Sequence, residues 1–236
     1  MKISTRAVVL LLATLVASSL TARLGFWQMD RAAQKQALQA AVLANGAMPP
    51  LQTAELSGAQ LHRRVQLTGH WLADKTVFLD NRPMAGRSGF YVLTPLQLQG
   101  RPELVLVQRG WSPRDAADRS RLQPLPTPTG LVTLTGRLIT APSKVYEFVP
   151  AASGVIRQNL DLQALEREVG RPFLPVTVLQ QDGEAADGLL RAWAAPDAGL
   201  HKHYGYAFQW FSLSALILGL YVWFQTIRVR KQAKSL

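Results

Sequence analysis

Apolar residues gather at the two ends of the chain, and between them apolar and polar positions alternate at intervals of two. Ala7 to Ala22 (AVVLLLATLVASSLTA) runs without a charge, and LGFW carries the apolar stretch past Arg23 to Trp27. Tyr204 to Ile227 is also uncharged throughout. At 1.5 Å per residue it makes about 36 Å of helix, enough for a hydrocarbon core of roughly 30 Å. The pattern predicts transmembrane helices over 7–27 and 204–227. The first segment also has the outline of a cleaved secretory signal, with a basic start, a short apolar run and Ala17-Ser18-Ser19. Its continuation to an interfacial Trp27, with Arg23 placed to snorkel, favours a retained anchor.

From Gln28 to Leu43 the sequence QMDRAAQKQALQAAVL favours helix and extends the first span, stopping near Asn45-Gly46 before Met48-Pro49-Pro50. The middle then reads as strands. Arg64–Gly69 and Leu131–Leu138 alternate as half-buried strands do, with Thr76–Leu79, Phe90–Leu93 and Leu174–Leu179 completing the set. Glu103–Gln108 is apolar in its centre and is expected to be buried on both faces. One helix is expected at Asp161–Val169, capped by Asp161 and stopped by Gly170, with Leu162, Leu165 and Val169 on one face. The proline-rich stretch 122–130 reads as a loop wrapping an edge. The expected fold is a membrane protein of α+β class. Two transmembrane helices flank a mainly antiparallel β domain, a small barrel or sandwich with one or two helices, spanning 28–203.

Charge orients this layout. Arg228, Arg230, Lys231 and Lys234 follow the second span and Lys2 and Arg6 precede the first, all without acids. The positive-inside rule puts 1–6 and 228–236 in the cytoplasm and the middle domain across the membrane. With no presequence ahead of Met1, the layout suits a bacterial inner membrane with a periplasmic domain. Residues 28–203 hold 19 Lys plus Arg against 15 acids, so the high isoelectric point reflects topology and gives no sign of nucleic-acid binding. The chain has no cysteine, which excludes disulfides, thiolate metal sites and covalent haem attachment.

Little in the middle suggests catalysis. There is no glycine-rich phosphate loop, and Gly86-Arg87-Ser88-Gly89 lacks the spacing and the strand-to-helix context of a nucleophile elbow. His62 and His70 flank the first strand about 26 Å apart, too far to share a metal, and read as surface histidines. Arg82, Arg87, Arg109 and Arg114 fall in loops or at strand ends. They read as solubilising charge, or as a clamp for carboxylates such as lipid headgroups or propionates.

The mouth of the second span, HKHYGYAFQWF, carries two histidines. Residues two apart on a helix point to opposite sides, so His201 and His203 cannot hold one ion. His203, Tyr206, Ala207, Trp210 and Ser214 share a stripe at spacings of three and four, with Ala207 expected to leave a gap. That face is either an interfacial aromatic belt or a bundle-interior face holding a planar apolar ligand such as haem by one imidazole.

Five motifs in order carry a resemblance: LGFWQMDRAAQK (24–35), VQLTGHW (65–71), GFYVLTPL (89–96), LVQRGWSPRD (106–115) and HYGYAFQWFSLS (203–214). Together they are similar to the Surfeit locus protein 1 family of cytochrome c oxidase assembly factors. The resemblance covers nearly the whole chain. It implies a protein without catalytic turnover that assists maturation of cytochrome c oxidase subunit I. It further implies non-covalent binding of haem a by His203, with Tyr206 and Trp210 beside it. Expected partners are subunit I, other oxidase assembly or haem a synthesis proteins, and the lipid bilayer. The alternative is a membrane-anchored scaffold that touches these proteins without binding haem.

Overall fold

The computed structural model describes residues 5–56, 60–118, 120–145, 154–181, 187–193 and 199–227; Lys2 and the basic tail 228–236 lie outside them. The chain divides into two compact units, 41–193 and the two terminal segments 1–40 with 194–236.

In the first of these units, eight strands form a mixed sheet. In chain order they are β1 (Leu51–Gln52), β2 (Arg64–Trp71), β3 (Val77–Leu79), β4 (Gly89–Leu98), β5 (Leu104–Pro113), β6 (Val132–Ile139), β7 (Ile156–Arg157) and β8 (Phe173–Gln180). The sheet order β2-β6-β8-β5-β4 returns to β2, so five strands close a barrel. Directions cannot alternate all the way round a ring with an odd number of members. One parallel pair is therefore obligatory, and it is β5 with β8; every other pairing in the ring is antiparallel. The two-residue strands β1 and β7, which the periodicity did not predict, add parallel edges on β2 and β3.

Closure depends on Gly69. It pairs with Val132 on β6 and with Leu98 on β4, at the point where β2 passes from one neighbour to the other. A Cβ there would sit 2.2 Å from the Gln97 carbonyl oxygen, so only glycine allows the approach. The barrel interior is aliphatic, filled by Val65, Leu67, Leu96, Leu98, Val105, Val107, Leu134, Leu138, Val176 and Val178. Leu104 and Leu106, on the other face of β5, pack beneath the helix α2 (Leu162–Val169) with Leu165. This is why β5 lacks polar alternation: both its faces are core. The Asp161 side chain caps α2 by accepting from Gln163 N–H, and Gly170 ends it in the left-handed region (φ 74°). A third apolar cluster joins Phe78, Phe90, Val92 and Leu189, with Leu122 and Leu125 of the proline-rich stretch folded against it.

The second unit contains α1 (Thr5–Ala47), which belongs to it through Ala40, and α3 (Leu200–Val222), continued by one wider turn to Ile227. Each is long and apolar enough to cross a bilayer. The fold is thus a membrane-anchored α+β protein, and the first helix extends out of its apolar span as predicted, running through Asn45-Gly46 to Ala47.

Candidate functional site

The helix pair meets along two complementary seams. On α1 the residues that lose exposure are Ser18, Thr21, Gly25 and Ala32, with Gln28 half-buried between the last two. Their spacing of three and four is that of helices packed nearly side by side. On α3 the seam runs through half-buried His203, buried Ala207, half-buried Trp210 and Phe211, and buried Ser214. The fully buried positions on both are small, which lets the backbones come close where lipid supplies no hydrophobic drive to associate. Gly25 shows how close: a Cβ there would lie 2.6 Å from the Phe211 ring. Phe26 meets Phe211 edge-on at 5.1 Å, and Ser214 Oγ donates to the Ser18 carbonyl at 2.9 Å.

One polar contact stands at the upper end of this seam. His203 Nδ1 lies 2.7 Å from Gln28 Oε1, joining side chains 175 residues apart in sequence. An amide oxygen only accepts, so Nδ1 is the donor in this contact, and in the neutral ring Nε2 then keeps its lone pair. Such a nitrogen can accept a hydrogen bond or ligate a metal centre. Gln28 was legible only as a motif residue; a 3-4-3-4 stripe of small and polar residues on α1 was the available signal.

The five-residue stripe predicted on α3 is only partly the buried face. Ala207 leaves no gap, because its small side chain is where the helices close and it is buried. Tyr206 is 52% exposed. Phe211 widens the seam on the far side of Ala207, which turns Tyr206 outward by nearly a quarter turn. His203 and half-buried Trp210 therefore form the lip of the seam, with Tyr206 outside it. His201 is exposed and apart from them.

The arginines of the β unit are a correction. Arg82 and Arg109 are only 2% exposed, and Arg109 lies within β5, not in a loop or at a strand end. Arg109 donates to Thr127 Oγ1 (2.8 Å), the Pro126 carbonyl (3.2 Å) and Asp187 Oδ2 (3.4 Å), and stacks 4.8 Å above the Trp71 ring. Arg191 donates to the same Asp187 oxygen at 2.6 Å. Desolvation pushes the Asp187 carboxyl up, but the hydrogen bonds from Arg191 and the Leu189 N–H and the two cations outweigh it and hold its pKa below the ordinary value. Arg82 donates to the carbonyls of Asp80, Ser143 and Gln158. Arg114 pairs with Asp80. Arg87 alone of the four is exposed, over the Trp111 ring. Burying a guanidinium demands such partners, and here internal oxygens supply them to the terminal nitrogens, so these groups tie the fold together, while the Nε–H groups of Arg82, Arg109 and Arg114 are buried without an acceptor among the described residues.

The same holds for the two central motifs. Trp111 is fully buried and its indole N–H donates to the Arg82 carbonyl at 2.6 Å. A Cβ on Gly89 would lie 2.4 Å from that indole ring, and one on Gly110 would lie 2.5 Å from Leu189 Cβ. GFYVLTPL and LVQRGWSPRD are thus two antiparallel strands whose glycines make room for one tryptophan and one leucine. Of the other histidines, His70 is exposed as expected. His62 is half-buried, with Nδ1 enclosed and unpartnered and its pKa lowered by desolvation and by Arg137. Among the described residues no three His, Cys, Asp or Glu side chains gather as a metal cluster would require.

Comparison with known proteins matches the SURF1 family model to residues 15–215, which include the whole barrel and the His203 seam. A SURF1-like protein of Rickettsia bellii is 28% identical over 84% of this chain and 83% of the relative. A SURF1-like protein of Rickettsia prowazekii is 24% identical over 90% of each. The cytochrome oxidase assembly protein SHY1 of Saccharomyces cerevisiae is 32% identical over 37% of this chain and 24% of its own length. With matched strands, helix ends and seam all falling inside one family model, the chain belongs to the SURF1 family.

Proposed function

We propose that this protein is a membrane-anchored assembly factor for cytochrome c oxidase that holds haem a through His203 Nε2 and presents it to subunit I. Family membership and the name of the yeast relative support the oxidase assembly role. The observation that carries the haem reading is the His203–Gln28 contact. It engages one ring nitrogen at the lip of a helix pair, and among the described residues the other has no hydrogen-bond partner. A lone imidazole suits a metal that brings its own ring of ligands, as haem iron does. The residues fit such a group: His203 would supply the ligating nitrogen, Trp210 the adjoining aromatic surface, and Tyr206 an outer wall beside them. When bound, haem a supplies an iron centre and an apolar macrocycle for transfer, and the chain supplies orientation and a dry, lipid-side surface.

In this reading both termini are cytoplasmic and the barrel is periplasmic in a bacterial inner membrane, which the basic flanks support. No catalytic turnover is part of this reading. Haem a synthesis proteins are the expected donors, and subunit I is the expected recipient.

The test is spectroscopic. Full-length protein, co-expressed with haem a synthesis and purified in detergent, is expected to show a Soret band that His203→Ala removes and His201→Ala retains. An undiminished band in His203→Ala would sink His203 as the ligand. Colourless wild-type protein despite abundant haem a would favour a scaffold that touches oxidase proteins without binding haem.

A further inference from the structure

We infer that Gln28 is a positioning residue that holds His203 in the Nδ1–H tautomer and so sets Nε2 as its ligating nitrogen, an inference that rests on the haem reading above. A neutral imidazole in water favours the proton on Nε2, which would leave only Nδ1 to ligate, close to the helix backbone. Gln28 Oε1, 2.7 Å from Nδ1, reverses that preference, because it offers an acceptor and no proton. The same arrangement, a ligand histidine whose second nitrogen donates to an oxygen, fixes ring orientation and ligand basicity in metal sites generally. An amide does this without adding a charge to a helix pair that has lipid on its outer faces, where a carboxylate is costly.

The rest of the seam explains how the contact is held. Gly25, one turn before Gln28, lets α3 approach to the distance at which the Phe211 ring fills the place of a Cβ. Ser214 Oγ donates to the Ser18 carbonyl at 2.9 Å and pins the register of the two helices further along. Gln28 is itself half-buried, so its amide is confined between the helices. A surface glutamine would lose this orientation to rotamer freedom.

The inference is tested first without haem. Full-length protein prepared free of haem in detergent and labelled with ¹⁵N-histidine is examined by long-range ¹H–¹⁵N correlation. The His203 signals are assigned by their absence in His203→Ala. The wild type is expected to show a protonated Nδ1 and an unprotonated Nε2. Gln28→Leu is expected to move the proton to Nε2, and Gln28→Glu, which keeps an acceptor, to leave it on Nδ1. In haem a-loaded protein, Gln28→Leu is expected to weaken haem retention 10–100-fold, the range for loss of an outer partner of a metal-bound histidine. Gln28→Glu is expected to restore part of it.

A wild-type His203 protonated on Nε2 overturns the inference whether or not haem binds, and it needs no variant to fold. An unchanged tautomer in Gln28→Leu overturns it as well. An Nδ1–H His203 in protein that never retains haem a overturns the haem reading instead, and leaves the Gln28 contact as a helix-pairing device.

Discussion

The two units treat their buried polar side chains in opposite ways. In the barrel unit, Arg82 and Arg109 are each surrounded by internal oxygens, and Asp187 is shared between two guanidinium groups. The terminal guanidinium nitrogens are engaged there, although the Nε–H groups of Arg82 and Arg109 are buried without an acceptor among the described residues, and the network positions β4, β5 and the 187–193 segment. In the helix pair, by contrast, His203 makes one side-chain hydrogen bond, through Nδ1, among the described residues. The contrast teaches that a motif's chemistry is judged by what remains unsatisfied once the chain has folded. Arginine and tryptophan in LVQRGWSPRD look as suited to a ligand as histidine in HYGYAFQWFSLS, yet what Arg109 leaves unpaired is an N–H donor, whereas the histidine has a second ring nitrogen of the kind that can ligate.

The sharpest attack on this contrast is Trp111→Ala. It removes a fully buried indole and strands the Arg82 carbonyl, and is expected to lower the stability of the barrel by about 3–5 kcal/mol. Urea unfolding in detergent, followed by the remaining tryptophans, measures it. A loss below about 1 kcal/mol would mean that the motif is not held for packing. Gly25→Leu attacks the other side. A leucine there meets the Phe211 ring, parts the seam around Gln28 and His203, and is expected to cut retained haem a several-fold, as read from the Soret band. The barrel's unfolding midpoint should move little, within the range of about 0.5 kcal/mol typical of changes away from its core. If Gly25→Leu retains full haem, the helix seam is not what presents His203.

The smallest expected effect lies in acid. Asp187 has a folded pKa below its ordinary 3.8, so the folded state binds fewer protons than the unfolded chain at that site. Its contribution is complete above the ordinary aspartate range and is lost as pH falls through the depressed folded value. Asp187→Asn should therefore be less stable than wild type at neutral pH, with the difference narrowing below about pH 4. A constant difference between the two across pH 2–7 would contradict the shared-carboxylate network.

Much of this architecture is legible from periodicity alone, and the reasons are local. Asp161 and Gly170 bound α2 because a short polar side chain and an αL-tolerant residue are what helix ends need. The apolar centre of β5 announces a strand covered on both faces, and the structure shows the covers, barrel interior and α2. The arginines were misread because sequence reports a residue's type and not its neighbours. Arg109 and Asp187 are 78 positions apart, and nothing local marks them as a pair. Tyr206 was misplaced for a related reason. A stripe on one helix has a width, and only the partner helix decides which edge of it is covered.

The class of the molecule is written in the chain itself: two apolar spans, a β domain between them, and one imidazole in register with Trp210. These follow from interactions between residues a few positions apart and from the solvent each segment can tolerate. Tertiary structure alone decided that five strands close into a ring, that the buried arginines meet internal carbonyl, hydroxyl and carboxylate oxygens, and that Gln28 meets His203. Each of these depends on contacts between residues far apart in the chain, whose geometry exists only after closure and helix pairing have brought them within hydrogen-bond reach.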